Sequence, residues 1–331
     1  MTTNQNETVS VIIVNFNGMR WLQGCLDSVI AQDYPHFEVI FVDNASTDGS
    51  CEYVRQHYPE IKITRNNSNF GFAKGNNIGI QHASGSYYLL VNNDVIMPFD
   101  FVSKLVEGMR RLKTASIIQP KIFHGDSLRL DGCGSLWTRY TFLYHLGLYK
   151  KESSAFSEPF PVFSVKGAAM LIRKQVVDKI GLFDDTFWCY YEETDFCHRA
   201  WISGFESWYY PKASLKHYGG KTSISFANNL VQYHNVKNKL RSFLKNFSFP
   251  RSLWFVFLHC TLNLLLSLNF FHRNRSIHIS SLVKAIIWNI KNIRSTLKLR
   301  ASVQSYRKIS DVTIMHRLSI DISLLNIYLN K

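Results

Sequence analysis

The sequence predicts an α/β fold: a mostly parallel sheet with helices on both faces, followed by a helical C-terminal tail. Short apolar, β-branched runs alternate with stretches of helical periodicity, the pattern of strands that need crossover helices. The runs end in polar residues at equivalent places. Charge divides the 331 residues in two: residues 1–235 hold 22 Lys and Arg against 22 Asp and Glu, whereas residues 236–331 hold 16 against only Asp311 and Asp321, which is the whole formal net charge of +14.

Val9–Val14 is a buried strand stopped by Asn15-Phe16-Asn17-Gly18. Trp21, Leu22, Cys25, Leu26, Val29 and Ile30 then recur at helical spacing. Phe37–Val42 is a second strand, ended by Asp43, and Ser46, Thr47 or Asp48 is placed to cap the next helix. Ile61–Thr64 and Tyr87–Val91 follow as strands, the latter stopped by Asn92-Asn93-Asp94. In parallel sheets ligands bind beyond the carboxyl ends of the strands, where Asn15, Asp43 and Asp94 all sit. Further on, Phe163–Ile172 reads as a strand and Glu192–Gly204 as a helix. Ser207–Tyr210 and Ala213–His217 read as short strands, and Phe226–Phe247 as a longer helix. Residues 124–161 show no pattern.

The six cysteines are scattered, with no CxxC pair, so free thiols in a reducing compartment are expected. Met1–Thr8 is polar and lacks the apolar stretch of a signal peptide; the expected compartment is the cytoplasm.

No GxxxxGK[ST] and no GxGxxG occurs. A nucleoside diphosphate would need another source of neutralisation, and a carboxylate-held Mg²⁺ or Mn²⁺ is the available one. Asp94, just past an apolar strand, can supply that carboxylate; a plain turn before Met97-Pro98 is the alternative. Glu192-Glu193-Thr194-Asp195 places three carboxylates at a helix start, where repulsion can raise one pKa into the range of a general base. The alternative is ordinary first-turn enrichment, with Asp195 pairing Arg199 one turn on. The aromatic run Phe187–Tyr191 favours a site, since rings make platforms for sugars. His217 ends a strand before Tyr218-Gly219-Gly220; a lone His is more often structural, yet glycines allow a phosphate to approach closely.

Seven ordered segments, VSVIIVNFNG from Val9, VDNASTDGS from Val42, NFGFAKGNNIGI from Asn69, VNNDV from Val91, VKGAAMLIRK from Val165, YYEETDFCHRA from Tyr190 and HYGGKTS from His217, make the chain resemble the family 2 glycosyltransferases. Within them it resembles the bacterial rhamnosyltransferase-like enzymes of surface polysaccharide synthesis. The resemblance spans about Val9 to Phe247 and implies a GT-A fold and an inverting, metal-dependent sugar transfer. It also implies roles. Asp43 looks like the carboxylate that accepts the base N–H of a uridine or thymidine nucleotide, Asn15 lies in the loop flanking base and ribose, and Lys74 is similar to the basic residue near the nucleotide. Asn92-Asn93-Asp94 matches the family's DxD position, with Asn in place of the first Asp; Asp94 is the implied metal ligand and His217 resembles the second. Glu193 matches the second acid of an acidic pair, the general base, but the pair here is Glu-Glu, which keeps Glu192 a rival. The implied partners are a dTDP- or UDP-sugar donor, with rhamnose suggested by similarity alone, and a lipid-linked or polysaccharide acceptor. Residues 124–161 then read as an acceptor-side insertion.

The tail, residues 248–331, is expected to associate with a membrane, leaving residues 1–247 as the catalytic domain. Leu253–Phe271 is 19 residues long with 14 apolar, close to a bilayer span, but His259, Asn263 and Ser267 form a polar stripe that suits an interfacial helix. Leu282, Val283, Ile286, Ile287, Ile290 and Ile293 form an apolar face, with Lys284, Lys291 and Lys298 on another. An anionic membrane surface at the cytoplasmic face of the inner membrane is the expected partner, packing on the catalytic domain or in a dimer is the alternative, and nucleic acid is not expected. Two other functions fit less of the sequence. A nucleotidyltransferase would need a basic glycine-rich N-terminal loop, which Asn15–Gly18 is not, and a membrane-bound sugar-binding scaffold with a decayed site would account for Asn92 and Glu193.

Overall fold

The computed structural model describes residues 7–219, 228–269 and 275–323. Four parallel strands form the first half of the sheet: β1 (Val9–Asn15), β2 (Phe37–Asp43), β3 (Lys62–Arg65) and β4 (Tyr87–Asn92), in the order β4-β1-β2-β3. The strand ends are in register, with Asn15 opposite Asp43 and Val14 opposite Asn92. Alternation along the strands sends side chains to both faces. Val9, Val11 and Ile13 pack with α1 (Met19–Ile30) and α4 (Phe101–Arg111), while Ile12 packs on the other face with Ala73 and Ile80 of α3 (Gly71–Gln81). Burial on both faces is why these strands read as continuous apolar runs.

The other half departs from the expectation. The strand expected over Phe163–Ile172 is only Ala169–Arg173 (β11) and runs antiparallel between β4 and β6 (Ala115–His124). The two expected strands after Ser207 are one, β12 (Glu206–His217), parallel to β6 and broken by a bulge between Tyr210 and Ser214. Pro211 sits in that bulge, where no ladder N–H is needed. The patternless segment contributes β8 (Ser135–Thr138) and β9 (Leu143–His145), which join a short strand near the chain end, Ser319–Ile320, in a separate three-stranded sheet. Its pairing partner comes from the far end of the chain, so local sequence carries no sign of it.

Helix α2 (Ser50–His57) has Gly49 at its N-cap with φ 82°, so none of Ser46, Thr47 or Asp48 is the cap. Asp48 instead accepts from Met19 N at 2.9 Å and Ser50 N at 3.1 Å, fastening the starts of α1 and α2 together.

After α5 (Lys174–Ile180), α6 (Glu192–Ser203) and α7 (Asn228–Asn246), the tail forms α8 (Arg251–Asn269), α9 (Arg275–Lys291), α10 (Ile293–Ser305) and α11 (Asp311–Leu318). The expected helix starts at Phe226, and the Gly220–Ser223 part of HYGGKTS and Phe271 lie outside the described residues. The tail is no separate body. Trp137 of β8 sits among Phe243 of α7, Phe247 just after that helix and Phe255 of α8, with ring centroids 5.6, 5.5 and 5.9 Å away. The polar stripe on α8 faces inward: His259 is 1% exposed and its Nδ1 lies 2.9 Å from Thr141 Oγ1. The opposite face of α8 is apolar and open, with Trp254 57% and Phe257 62% exposed. The apolar face expected over Leu282–Ile293 divides. Leu282 is buried against α7, whereas Val283, Ile287 and Ile290 are exposed beside Lys284 and Lys291. Among the described residues no helix is long and apolar enough to cross a membrane.

Candidate functional site

At the carboxyl ends of β1 and β4 lies a cavity of about 650 Å³. Its lining brings together Asn92, Asn93, Asp94, His217, Glu192 and Glu193. Asn15 and Asp43 are placed one layer below. Both are 0% exposed, and Asn15 Nδ2 donates to Asp43 Oδ1 (3.3 Å), Ser46 Oγ (3.1 Å) and Ser50 Oγ (2.8 Å). Asn93 Nδ2 donates to Asn15 Oδ1 at 2.6 Å and ties this buried cluster to the cavity. Phe16, Asn44 and Asn69 are the residues that surface here. Lys74 does not reach the lining: its ammonium rests 4.1 Å from the centre of the Phe70 ring.

Asp94 and His217 meet because β5 (Val95–Ile96) pairs with the end of β12, setting His217 opposite Val95. His217 Nε2 lies 3.2 Å from Asp94 Oδ1 and 3.2 Å from Asn92 Nδ2. Its Nδ1 lies 2.6 Å from Asp131 Oδ2, and Lys166 Nζ is 2.6 Å from Asp131 Oδ1. Burial opposes charge on the imidazole, yet Asp131 and Asp94 together hold its pKa up at about 9. Asp94 Oδ1 is buried and makes no hydrogen bond among the described residues, although His217 Nε2 stands 3.2 Å away. An orphaned carboxylate oxygen beside an imidazole backed by a second carboxylate suits a divalent cation. No group of three or more His, Cys, Asp or Glu among the described residues could hold a metal, so a cation here would take two protein ligands, Asp94 and His217, and fill its shell from phosphate and water. Asp131 and Lys166 were missed in the sequence: Asp131 lies 86 positions from His217 in a segment without periodicity.

Across the cavity, α6 begins directly after a strained turn. Trp188, Tyr190 and Tyr191 have φ of 60°, 70° and 73°, left-handed values that non-glycine residues adopt only when surroundings impose them. One side chain of α7 imposes this: Asn238 Nδ2 donates to the carbonyls of Phe187 (3.0 Å), Cys189 (2.9 Å) and Tyr190 (2.6 Å). From below, Gly71 is required, because a Cβ there would lie 2.3 Å from Trp188 O.

The turn aims Glu192 and Glu193 into the cavity. Burial pushes both carboxyls up, Glu193 to about 7 even though Lys166 pulls it down. Glu192 is 5% exposed, its Oε2 lacks a partner among the described residues, and the Glu193 charge raises it further. Asp195 behaves otherwise. It is 0% exposed, bonded to Arg199 (2.9 Å), Lys245 (3.0 Å) and Asn246 (2.9 Å), and held below the usual carboxylate range; burial opposes this, and Lys245 and Arg199 outweigh it. The i,i+4 pairing expected for Asp195 is therefore present, and only the two glutamates face the cavity.

The glycosyl transferase family 2 model matches residues 10–181. Glycosyltransferase GlyG of Streptococcus pneumoniae is 26% identical over 37% of this chain; the matched part spans 41% of that protein. The N-acetylglucosaminyl-diphospho-decaprenol L-rhamnosyltransferase of Mycobacterium tuberculosis is 24% identical over 69% of this chain and 82% of its own length. The crystal structure of GalNAc-T7 with UDP, GalNAc and Mn²⁺ superposes with a TM-score of 0.62 at 15% identity, covering 88% of this chain and 58% of that one, a likeness of fold. The family model covers half of the chain and both relatives carry the same activity in their names, so this chain belongs to glycosyl transferase family 2.

Proposed function

We propose that the chain transfers a sugar, with inversion, from a nucleoside-diphosphate donor to a hydroxyl of a lipid-linked saccharide at an anionic membrane surface. The observation that carries this reading is one cavity with Asp94 and His217 on one wall and, on the other, two glutamates that form no ion pair among the described residues. The donor's base is assigned to the wall of Phe16, Asn44 and Asn69 above Asp43, and a uridine or thymidine nucleotide is proposed from the family resemblance. Rhamnose is proposed as the sugar because the mycobacterial relative transfers it by name.

Asp94 and His217 are the residues that would hold Mg²⁺ or Mn²⁺, and when bound the ion would neutralise the leaving diphosphate. Asp131 keeps the His217 ring oriented, and against burial the His217 hydrogen bond and then the Lys166 charge keep Asp131 ionised. Glu193 is the general base: its half-buried carboxyl, with a pKa near neutrality, can accept a proton at physiological pH. The acceptor oxygen loses its proton to Glu193 and bonds to the anomeric carbon. The bond from that carbon to the diphosphate oxygen breaks, and its electron pair leaves with the nucleoside diphosphate. Glu192, the more deeply buried and the more strongly raised, is the positioning partner: it stays protonated beside Glu193, whose charge raises it.

The tail supports the membrane assignment. Trp254, Phe257, Leu264 and Leu265 stand exposed on α8, and Val283, Ile287, Ile290 and Leu297 stand exposed among Lys284, Lys291, Arg294 and Lys298. Apolar and basic residues sharing one open face suit an interface with anionic lipid. The test is a panel of dTDP-rhamnose, UDP-sugars and GDP-mannose, assayed for Mn²⁺-dependent binding and slow hydrolysis. One metal-dependent donor is expected; none, with the protein folded, would overturn the reading.

A further inference from the structure

Buried cations in this molecule are matched almost one for one. Lys245 reaches Asp184 and Asp195, Arg241 reaches Asp184, Lys166 reaches Asp131, and Lys237 donates to Thr186 O at 2.6 Å. Lys239 of α7 differs. Its ammonium lies 5.1 Å from the Phe142 ring centre and 5.4 Å from the Tyr191 ring centre, and no carboxylate or hydrogen-bond acceptor among the described residues meets it. Loss of hydration alone lowers its pKa to about 8. An ammonium half withdrawn from water with no partner among the described residues is costly, and such groups mark places where a ligand supplies the counter-charge.

Its position says which ligand. Lys239 lines the catalytic cavity and also a groove of about 310 Å³ between α7 and α8, which it shares with Phe142, Asn235, His259 and Asn263. Its ammonium, over the Tyr191 ring, places it on the wall of the glutamates, across the cavity from Asp94 and His217. The groove meets α8 on the side that carries His259 and Asn263, and the opposite side of the same helix is the exposed apolar one. An anion at Lys239 would stand between the reacting saccharide and an apolar surface. A saccharide joined to an isoprenoid by a diphosphate has that order of parts, and one relative's acceptor is of this class by name.

We propose that Lys239 is the counterion for the diphosphate of a polyprenyl-linked acceptor, held where the catalytic cavity opens into the α7–α8 groove. The sugar end then points to Glu193 and the isoprenoid leaves along α8. This rests on the glycosyltransferase reading for its acceptor, but its test does not depend on turnover.

The probe is farnesyl diphosphate in detergent, with farnesol, inorganic pyrophosphate and phosphatidylglycerol vesicles as comparisons. Lys239→Met in the full chain is expected to weaken farnesyl diphosphate binding at least tenfold, while UDP or dTDP affinity in Mn²⁺ changes less than twofold. Equal loss of both would move Lys239 to the donor side and overturn the proposal, as would unchanged farnesyl diphosphate affinity. If Lys239→Met does not fold, the wild type decides. Farnesyl diphosphate should protect Lys239 from reductive methylation, read by mass spectrometry, and farnesol should not. Absence of protection overturns the proposal. Equal protection by phosphatidylglycerol does so as well, since the ligand would then be a lipid head group. A wild type that binds farnesyl diphosphate through Lys239 but no nucleotide in Mn²⁺ would refute the enzymatic reading and leave this site standing.

Discussion

The two walls of the cavity are built on opposite principles. The proposed donor wall comes from the ends of adjacent parallel strands, and apart from Asp94 Oδ1 its polar groups satisfy one another: Asn15 with Asp43, Ser46 and Ser50, and Asn93 with Asn15. The acceptor wall is gathered from β9, α6 and α7, and its polar groups are left open, Glu192 Oε2 and the Lys239 ammonium among them. A wall already bonded to itself is a rigid seat. A wall with open partners is stabilised by what it binds and is tuned through burial, which is why the raised carboxyls lie on that side.

The largest break in this contrast comes from the glutamates. Glu193→Gln should cut transfer by about 10²–10⁴-fold with donor affinity unchanged. In the wild type the rate should rise with pH through about 7, as the base loses its proton. If Glu192→Gln alone gives that loss, the two roles are exchanged. Next is stability: Asp195→Ala strands Arg199 and Lys245 in the core and should cost about 3–5 kcal/mol, measured by urea unfolding. The same change at Glu193 removes no partner, so it should stabilise or leave stability unaltered. Asp131→Asn should weaken Mn²⁺ affinity about 10–100-fold, read by calorimetry, through loss of the His217 orientation. Trp254→Ser with Phe257→Ser should lower binding to anionic vesicles by about tenfold or more, from the apolar surface no longer buried. The smallest effect is expected at Lys74, where Ala should change nucleotide affinity by less than about threefold, since its ammonium rests on Phe70.

The donor wall was legible in the sequence because it is local. A parallel strand writes itself as an apolar run, and the residue after the run marks the site; Asn15, Asp43 and Asp94 were each found this way. Asp43 nonetheless proved to lie under the wall, a difference of one layer that spacing does not encode. The acceptor wall was illegible because its neighbours are distant in sequence. Asp131 meets His217 across 86 positions, and the carbonyls that Asn238 holds lie 48 to 51 positions away. Lys239 looked like any lysine of a basic helix. The tail's polar stripe was found, but its direction was set by Thr141, in the segment that had no pattern.

The cluster around Trp137 bears on how this protein can be handled and how it can diversify. Phe247 and Phe255 meet edge to face, ring centroids 4.6 Å apart, across the point where a catalytic domain would be cut from its tail. A fragment ending at residue 247 would bare Trp137, Phe243 and Phe247 to water, and it should precipitate rather than become a freely diffusing enzyme. Large aromatic removals of this kind cost about 3–5 kcal/mol each. Tail and catalyst are thus inherited together. Recombination that grafts a new tail onto this head must carry a matching Trp137 neighbourhood with it, so changes of sugar are reached more readily by substitution within the cavity than by exchange of modules.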